Sequence, residues 1–216
     1  MNYLTGQYSQ KEEGYFTTAR YDYVSDLADD PQASILELGC GNGATGALAL
    51  QQGKCAKYVG IEMFEPMALE ARQVLSAVHI GNIETMDLPY PPHSFDVLIC
   101  SEVLEHLTDP IPVVRKLVSL LKPGGTIYAS VPNISHWKIV LALIGGRFDY
   151  QSEGAMDHTH LRWFTPRTFR RLFEDCGVSV DRLKPLGAKR LTGLVSRMPL
   201  THMLWWRIDL RGHRVQ

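Results

Sequence analysis

At 216 residues, with 45% hydrophobic and 21% charged residues, the chain has the balance of one globular domain with a sizeable core. A net charge of −1 gives no electrostatic basis for a nucleic-acid partner. The longest apolar run, Ile139 to Ile144, is far too short to span a membrane, so no membrane span is expected. The start, Met1-Asn2-Tyr3-Leu4, has neither a basic stretch nor an apolar core, so no secretory signal is expected. Cys40, Cys55, Cys100 and Cys176 lack metal-ligand spacing and read as reduced thiols of a cytoplasmic protein. Arg197, Arg207, Arg211 and Arg214 form a local basic stretch that reads as a solvated face.

In chain order, a helix is predicted from Phe16 to Ala28, ending before Pro31. Strands at Ser34–Leu38 and Lys57–Glu62 flank a helix from Ala44 to Gln52. A helix from near Pro66 to Leu75 leads into short strands at Ala77–Gly81 and Phe95–Ser101. Asp109-Pro110 opens a helix to Leu120, with Asp at the N-cap and Pro at the first position. Pro123-Gly124-Gly125 turns the chain into a fifth strand, Thr126–Val131. Ser135–Ile144 reads as a helix ended by Gly145-Gly146, and residues 147–164 show no period. Thr165-Pro166 starts a helix to Asp175, stopped by Gly177. Val178–Lys184 alternates as a strand, residues 188–198 read as helix, and Trp206–Arg211 as a last strand, antiparallel to its neighbour. The alternation predicts an α/β fold: a Rossmann-like, mostly parallel sheet of seven strands with helices on both faces. No linker or repeat divides it, so residues 1–216 read as one domain with a lid or acceptor insertion at about 133–164.

The first half carries a binding motif. Gly39-Cys40-Gly41-Asn42-Gly43 directly follows the strand Ile35-Leu36-Glu37-Leu38, and Tyr58-Val59-Gly60-Ile61-Glu62 follows about twenty residues later. Glycines allow a sharp turn and close approach to a ligand, and a carboxylate ending the next strand can accept both hydroxyl hydrogens of a ribose. Gly41-x-Gly43-x-x-Gly46 with Glu62 also fits a dinucleotide fingerprint. Glu37 argues against that, since a carboxylate there suits an ammonium group and repels a pyrophosphate. No Tyr-x-x-x-Lys pair of a short-chain dehydrogenase occurs.

Further on come Asp87-Leu88-Pro89, Ser94-Phe95-Asp96-Val97-Leu98-Ile99-Cys100 and Leu121-Lys122-Pro123-Gly124-Gly125-Thr126. In this order and spacing the set, over roughly residues 15–186, resembles the class I S-adenosylmethionine-dependent methyltransferases. Ser130-Val131-Pro132-Asn133 with His136-Trp137, Gly146-Arg147-Phe148-Asp149-Tyr150, and Asp157-His158-Thr159-His160-Leu161-Arg162-Trp163-Phe164-Thr165 resemble the ubiquinone-pathway-type small-molecule subgroup. Members of that subgroup are often found beside or fused to glycosyltransferases, which implies a glycosyltransferase as a pathway partner. The subgroup usually has Phe where this chain has Trp163, a change that would reshape an acceptor pocket.

The resemblance implies S-adenosyl-L-methionine as cofactor. Gly39, Gly41 and Gly43 would pass its methionine portion and Glu37 its amino group. Glu62 would take the ribose hydroxyls, with Met63 against the adenine face. Asp87 would accept the adenine amino hydrogens, Leu88 would cover the ring, and Ser101 would lie near the sulfonium. Tyr15 and Arg20 would close over the cofactor. An oxygen acceptor must also lose a proton, and an unshifted histidine titrates at about 6.5, which suits that task. His106, after the fourth strand, is one candidate base; His160, with Asp157 able to orient it, is the other. His158 and His160 lie one residue apart, and only one of them is expected to face the pocket; the resemblance carries over His160, along with Asp157 and Arg162. Asn133, Tyr150, Arg162 and Trp163 are expected at the acceptor. Asp157, His158 and His160 lie too close together to complete a metal shell, so no metal is expected.

The expected function is S-adenosylmethionine-dependent O-methylation of a hydroxyl on a small molecule, a sugar, or a glycan- or lipid-linked intermediate. Two alternatives stay open: an N- or C-methyltransferase, and a non-catalytic S-adenosylmethionine-binding partner of a glycosyltransferase. A base N-methyltransferase would carry Asn-Pro-Pro-Tyr or Asp-Pro-Pro-Tyr where this chain has Ser101-Glu102-Val103-Leu104. Glu102 and Glu105, three apart, do not resemble the paired-glutamate hairpin of arginine methyltransferases.

Overall fold

A computed structural model describes residues 17–185 and 201–215. Its centre is one seven-stranded sheet of β1 (Ser34–Leu38), β2 (Lys57–Glu62), β3 (Ala77–Ile80), β4 (Phe95–Ser101), β5 (Leu121–Pro132), β6 (Val178–Pro185) and β7 (Arg207–Arg214). Their spatial order is β3-β2-β1-β4-β5-β7-β6. The first five strands pair in parallel, while β7 runs antiparallel to both β5 and β6. The mostly parallel α/β sheet with an antiparallel last strand is therefore as expected.

The helices are α1 (Tyr21–Asp26), α2 (Ala44–Gln51), α3 (Glu65–Ala71), α4 (Pro110–Leu120), α5 (Trp137–Ile144) and α6 (Pro166–Glu174). On one face, Tyr23 and Val24 of α1, Ala49 of α2 and Ala68 and Ala71 of α3 pack on Ile35, Tyr58, Ile99 and Tyr128. On the other, Val113 and Leu117 of α4 and Phe169 and Phe173 of α6 pack on Leu36, Leu98, Ile127 and Ile208. Residues alternate across a strand, so a run buried on both sides reads as continuously apolar. Phe169 and Phe173 are fully buried, each worth about 1.5–3 kcal/mol of transfer free energy.

Local chemistry sets the helix starts. Asp109 accepts from the Ile111 amide at 3.2 Å with Pro110 following. Thr165 and Thr168 form a reciprocal capping box at the head of α6.

Several boundaries differ from expectation, α3 stopping at Ala71 rather than Leu75 and β7 running on to Arg214. Among the described residues α1 spans only Tyr21–Asp26, without a side-chain cap; Phe16 and Tyr15 lie outside them. β3 stops at Ile80. β5 starts at Leu121 because its ladder resumes after the glycine turn: Phe95 pairs with Leu121 and Val97 with Thr126, so Lys122–Gly125 bulges out. α5 begins two residues late, because His136 Nδ1 caps it by accepting from the Lys138 amide at 3.4 Å. The helix expected at 188–198 lies outside the described residues. No helix among those described is long and apolar enough to cross a membrane.

Candidate active site

Parallel pairing brings the carboxyl ends of β1, β2, β4 and β5 to one edge, the place where open α/β sheets bind ligands. There lies a cavity of about 650 Å³, within the range of ordinary ligand sites. A smaller recess of about 60 Å³ adjoins it through the shared residues Gly39, Glu62, Val103 and His106.

The loop after β1 has positive φ at Gly39 (72°), Gly41 (54°) and Gly43 (85°). At Gly43 a Cβ would also come within 2.9 Å of Val74 and 3.1 Å of the Ala71 backbone, so glycine is required twice over. The loop is tied to β2: the Gly41 amide donates to Glu62 Oε2 at 2.9 Å, and the Met63 and Phe64 amides donate to Oε1 at 2.8 Å. Burial raises the Glu62 pKa, and these three amides work against that rise. Oε1 is filled by its two amides, while Oε2 keeps a lone pair for a hydroxyl.

Glu37 is fully buried at the cavity wall and accepts from the Tyr58 hydroxyl at 2.8 Å. Burial pushes its pKa up to about 7, with Tyr58 and Arg20 opposing. A cationic group placed against it would restore the charge. Ser101 also lines the cavity and accepts from the Arg20 guanidinium, which donates to Ser130 Oγ at 3.1 Å as well. The segment before α1 thus closes one side, with the Arg20 amide bonded to Thr45 Oγ1 at 3.2 Å. Met63 lines the small recess. A glycine loop between two buried carboxylates at the ends of β1 and β2 fits S-adenosylmethionine, which carries a cation and a ribose diol.

The far wall holds Glu102, Glu105, His106, Asp157 and His160. Glu105 and His106 sit on a 3-10 turn, Leu104–His106, directly after β4. The 147–164 segment folds back onto that turn: the Leu161 and Arg162 amides donate to the Glu105 carbonyl at 2.8 and 3.0 Å. His106 Nδ1 donates to the Thr159 carbonyl at 3.2 Å, and His160 Nδ1 to the Ala155 carbonyl at 3.3 Å. The rings of His106 and His160 meet edge to face, 4.7 Å between centroids. Of the neighbouring histidines, His160 is buried and His158 is exposed, so this irregular segment departs from strand alternation, which would put both on one face. Asp157 accepts from the Thr159 amide and hydroxyl at 2.9 and 2.8 Å.

Several expected residues sit elsewhere. Asp87 is exposed and Leu88 packs against the main core; neither lines the cavity or the recess, where Asn82, Ile83 and Glu84 stand instead. Asn133 does not line the cavity. It is buried with its amide engaged, donating to the His202 and Trp205 carbonyls at 2.8 Å and accepting from Ser135. Arg162 is exposed and turns to the Thr108 carbonyl. Tyr150 and Trp163 form an aromatic cluster with Phe148 outside the cavity lining. Residues missed in the sequence include Glu105, whose Oε1 lies 3.9 Å from His160 Nε2, and Arg207, paired with Glu102 at 3.3 Å. The spacing Glu102-x-x-Glu105-His106 was the available signal for the first. The second depends on β7 lying beside β5, a long-range fact.

A family model described as a methyltransferase domain matches residues 11–183. A ubiquinone biosynthesis O-methyltransferase of Xanthomonas campestris pv. campestris (strain B100) is 32% identical over 145 residues, covering 64% of this chain and 59% of that protein. A protein of the same name from Neisseria meningitidis serogroup C is 28% identical over 171 residues, 76% of this chain and 71% of that one. The chain thus spans less than two thirds of the length of the Xanthomonas relative. The crystal structure of an S-adenosylmethionine-dependent methyltransferase from Mesorhizobium loti shares the fold. Its TM-score is 0.67 at 18% identity, over 91% of this chain and 98% of that one. The family match across most of the chain and a cradle suited to the cofactor give one conclusion: this chain belongs to the class I S-adenosylmethionine-dependent methyltransferases.

Proposed function

We propose that the protein O-methylates a hydroxyl group on a small polar acceptor. The carrying observation is the single cavity that runs from Glu37, Gly39 and Glu62 to the buried cluster of Glu105, His106, Asp157 and His160. One end suits the cofactor and the other supplies groups that can receive a proton. In this reading Glu37 holds the amino group, Gly39, Gly41 and Gly43 pass the methionine portion, Glu62 holds the ribose and Met63 borders the adenine. Ser101 and Arg20 shape the space near the sulfonium. When bound, S-adenosylmethionine supplies an electrophilic methyl on sulfur, whose transfer leaves S-adenosylhomocysteine and requires one proton to leave the acceptor oxygen.

The chain's own residues orient the two reactants and receive that proton. The relatives' names, ubiquinone biosynthesis O-methyltransferase, support oxygen as the acceptor atom. Ser152, Glu153 and Arg207 on the cavity rim favour a polar acceptor, such as a sugar or a glycan- or lipid-linked hydroxyl. The glycosyltransferase partnership rests on sequence resemblance alone. The test is incubation with methyl-labelled cofactor and a panel of phenols, sugars and host extract. An alkali-stable labelled ether is the expected product. No labelled small product, with a stoichiometric protein partner on purification, would favour the non-catalytic alternative.

A further inference from the structure

Asn133 and His136 belong to the stretch that follows β5, and neither lines the cavity. Both instead act on the chain just before β7. The Asn133 main-chain amide donates to the Trp206 carbonyl at 3.1 Å, and its side-chain amide donates to the His202 and Trp205 carbonyls at 2.8 Å. The buried His136 ring meets the Trp206 ring edge to face, 4.3 Å between centroids. That imidazole is itself fixed, because its Nδ1 accepts from the Lys138 amide at the head of α5. Backbone and ring of Trp206 are therefore held together by one short segment.

Trp206 is nevertheless 46% exposed, and it lines the cavity beside Pro132 and Arg207. A half-exposed aromatic side chain is ordinary on a protein surface. One that is clamped and also borders a ligand cavity is a different object: it offers a flat apolar face and loses little freedom when something lies on it. Charge narrows what that is. Among the described lining residues the arginines are Arg20 and Arg207. Arg20 pairs with Asp22 at 3.0 Å and Arg207 with Glu102 at 3.3 Å, while Glu153 adds an exposed carboxylate. A carboxylate or phosphate on the acceptor would meet cations already neutralised, so an uncharged acceptor is favoured. One aromatic face among hydroxyl and charged groups suits a pyranose, whose C–H face is apolar and whose hydroxyls point outward. A simple phenol, apolar on both faces, would leave more of those polar groups without partners.

We propose that Trp206 is the platform on which the acceptor ring lies, that Asn133 and His136 are the positioning residues that hold it, and that the ring is an uncharged pyranose. The platform stands on the contacts among these three residues. The part played by the pyranose rests on the proposed O-methylation: one ring hydroxyl oxygen bonds the methyl carbon, sulfur keeps the electron pair of the broken bond, and the hydroxyl proton passes to the His106 and His160 end of the cavity.

The test mixes the full chain, saturated with S-adenosylhomocysteine, with a set of neutral methyl pyranosides at about 10 mM, enough to reveal millimolar affinity. Saturation-transfer NMR with the protein's aromatic protons irradiated reads contact with the ring C–H protons. Transfer to at least one pyranoside is expected, strongest on the protons of one face. Trp206→Ala should weaken that binding about tenfold, and Trp206→Phe, which keeps a flat face, by less than about threefold. His136→Asn keeps an N-cap acceptor for α5 and removes the ring behind Trp206, so it should weaken pyranoside binding while melting temperature and S-adenosylhomocysteine affinity hold. No transfer to any pyranoside, or equal binding by wild type and Trp206→Ala, overturns the platform. Tighter binding of catechol or of glucose 6-phosphate than of every neutral pyranoside overturns the class of acceptor. Pyranoside binding through Trp206 with no labelled methyl ether under turnover would leave the platform standing and remove the O-methylation. Methyl transfer to a hydroxyl that is unchanged in Trp206→Ala would do the reverse.

Discussion

The Tyr58 hydroxyl donates to Glu37 Oε2 at 2.8 Å, inside the sheet and at the inner wall of the cavity. The bond holds a carboxylate that is buried at the cavity wall, and burial brings its pKa to about 7. Ligand affinity should therefore depend on pH. If the bound ammonium needs an ionised Glu37, S-adenosylhomocysteine should bind about tenfold more weakly at pH 6 than at pH 8. Binding near pH 7 should release a proton from the protein, read as a buffer-dependent enthalpy. A pH-independent affinity would remove Glu37 from the ammonium.

The same group sets a stability prediction with a definite sign. Its folded pKa lies above its ordinary 4.5, so its contribution is present below that value and lost as pH rises through about 7. Glu37→Gln should therefore stabilise the ligand-free protein at pH 8 relative to pH 5, by on the order of 3 kcal/mol at most. Thermal unfolding of both proteins at the two pH values checks this. An equal difference at both would contradict it.

Packing behind the glycine loop makes a third prediction. A Cβ at Gly46 would sit 2.4 Å from Leu75 Cδ2 and 2.5 Å from Tyr58 Cδ1. Gly46→Ala should cost about 1–3 kcal/mol through overpacking and displace the ring that holds Glu37. Lowered melting temperature together with weaker S-adenosylhomocysteine binding is the expected pair of readouts. An unchanged melting temperature would contradict it.

The glycine loop and the carboxylates of Glu37 and Glu62 were legible because they are local: strand, turn and strand end lie within one βαβ unit. The starts of α4 and α6 were legible for the same reason, since Asp109 and Thr165 cap through residues two and three ahead. The acceptor side was not. Residues 147–164 have no period, so nothing in the sequence says that His160 faces inward while Arg162 turns to Thr108. Asn133 resembles a site residue, yet its amide is consumed by carbonyls some seventy residues away. Glu105 was passed over as one member of an unpaired glutamate couple. Its juxtaposition with His160 exists only because the later segment folds back onto the turn after β4.

The two buried histidines carry a further prediction. His106→Ala or His160→Ala should lower turnover by about a hundredfold or more, the scale of a lost proton-transfer group, with little change in cofactor affinity. Steady-state kinetics on the true acceptor, with cofactor binding measured alongside, separates the two effects. Near-normal turnover in both variants would show that neither ring serves the chemistry.

The central claim is that the cavity at the strand ends holds the cofactor, with Glu62 on its ribose. Calorimetric titration of S-adenosylhomocysteine into wild type and Glu62→Ala tests it most directly. The charge-assisted hydrogen bond that Oε2 can still accept, worth about 1.5–3 kcal/mol, and the three amide tethers that hold the glycine loop are at stake. The wild-type chain should bind one ligand per chain, and Glu62→Ala should bind at least about a hundredfold more weakly. Absence of binding to the wild type, or equally tight binding to both, would contradict the account.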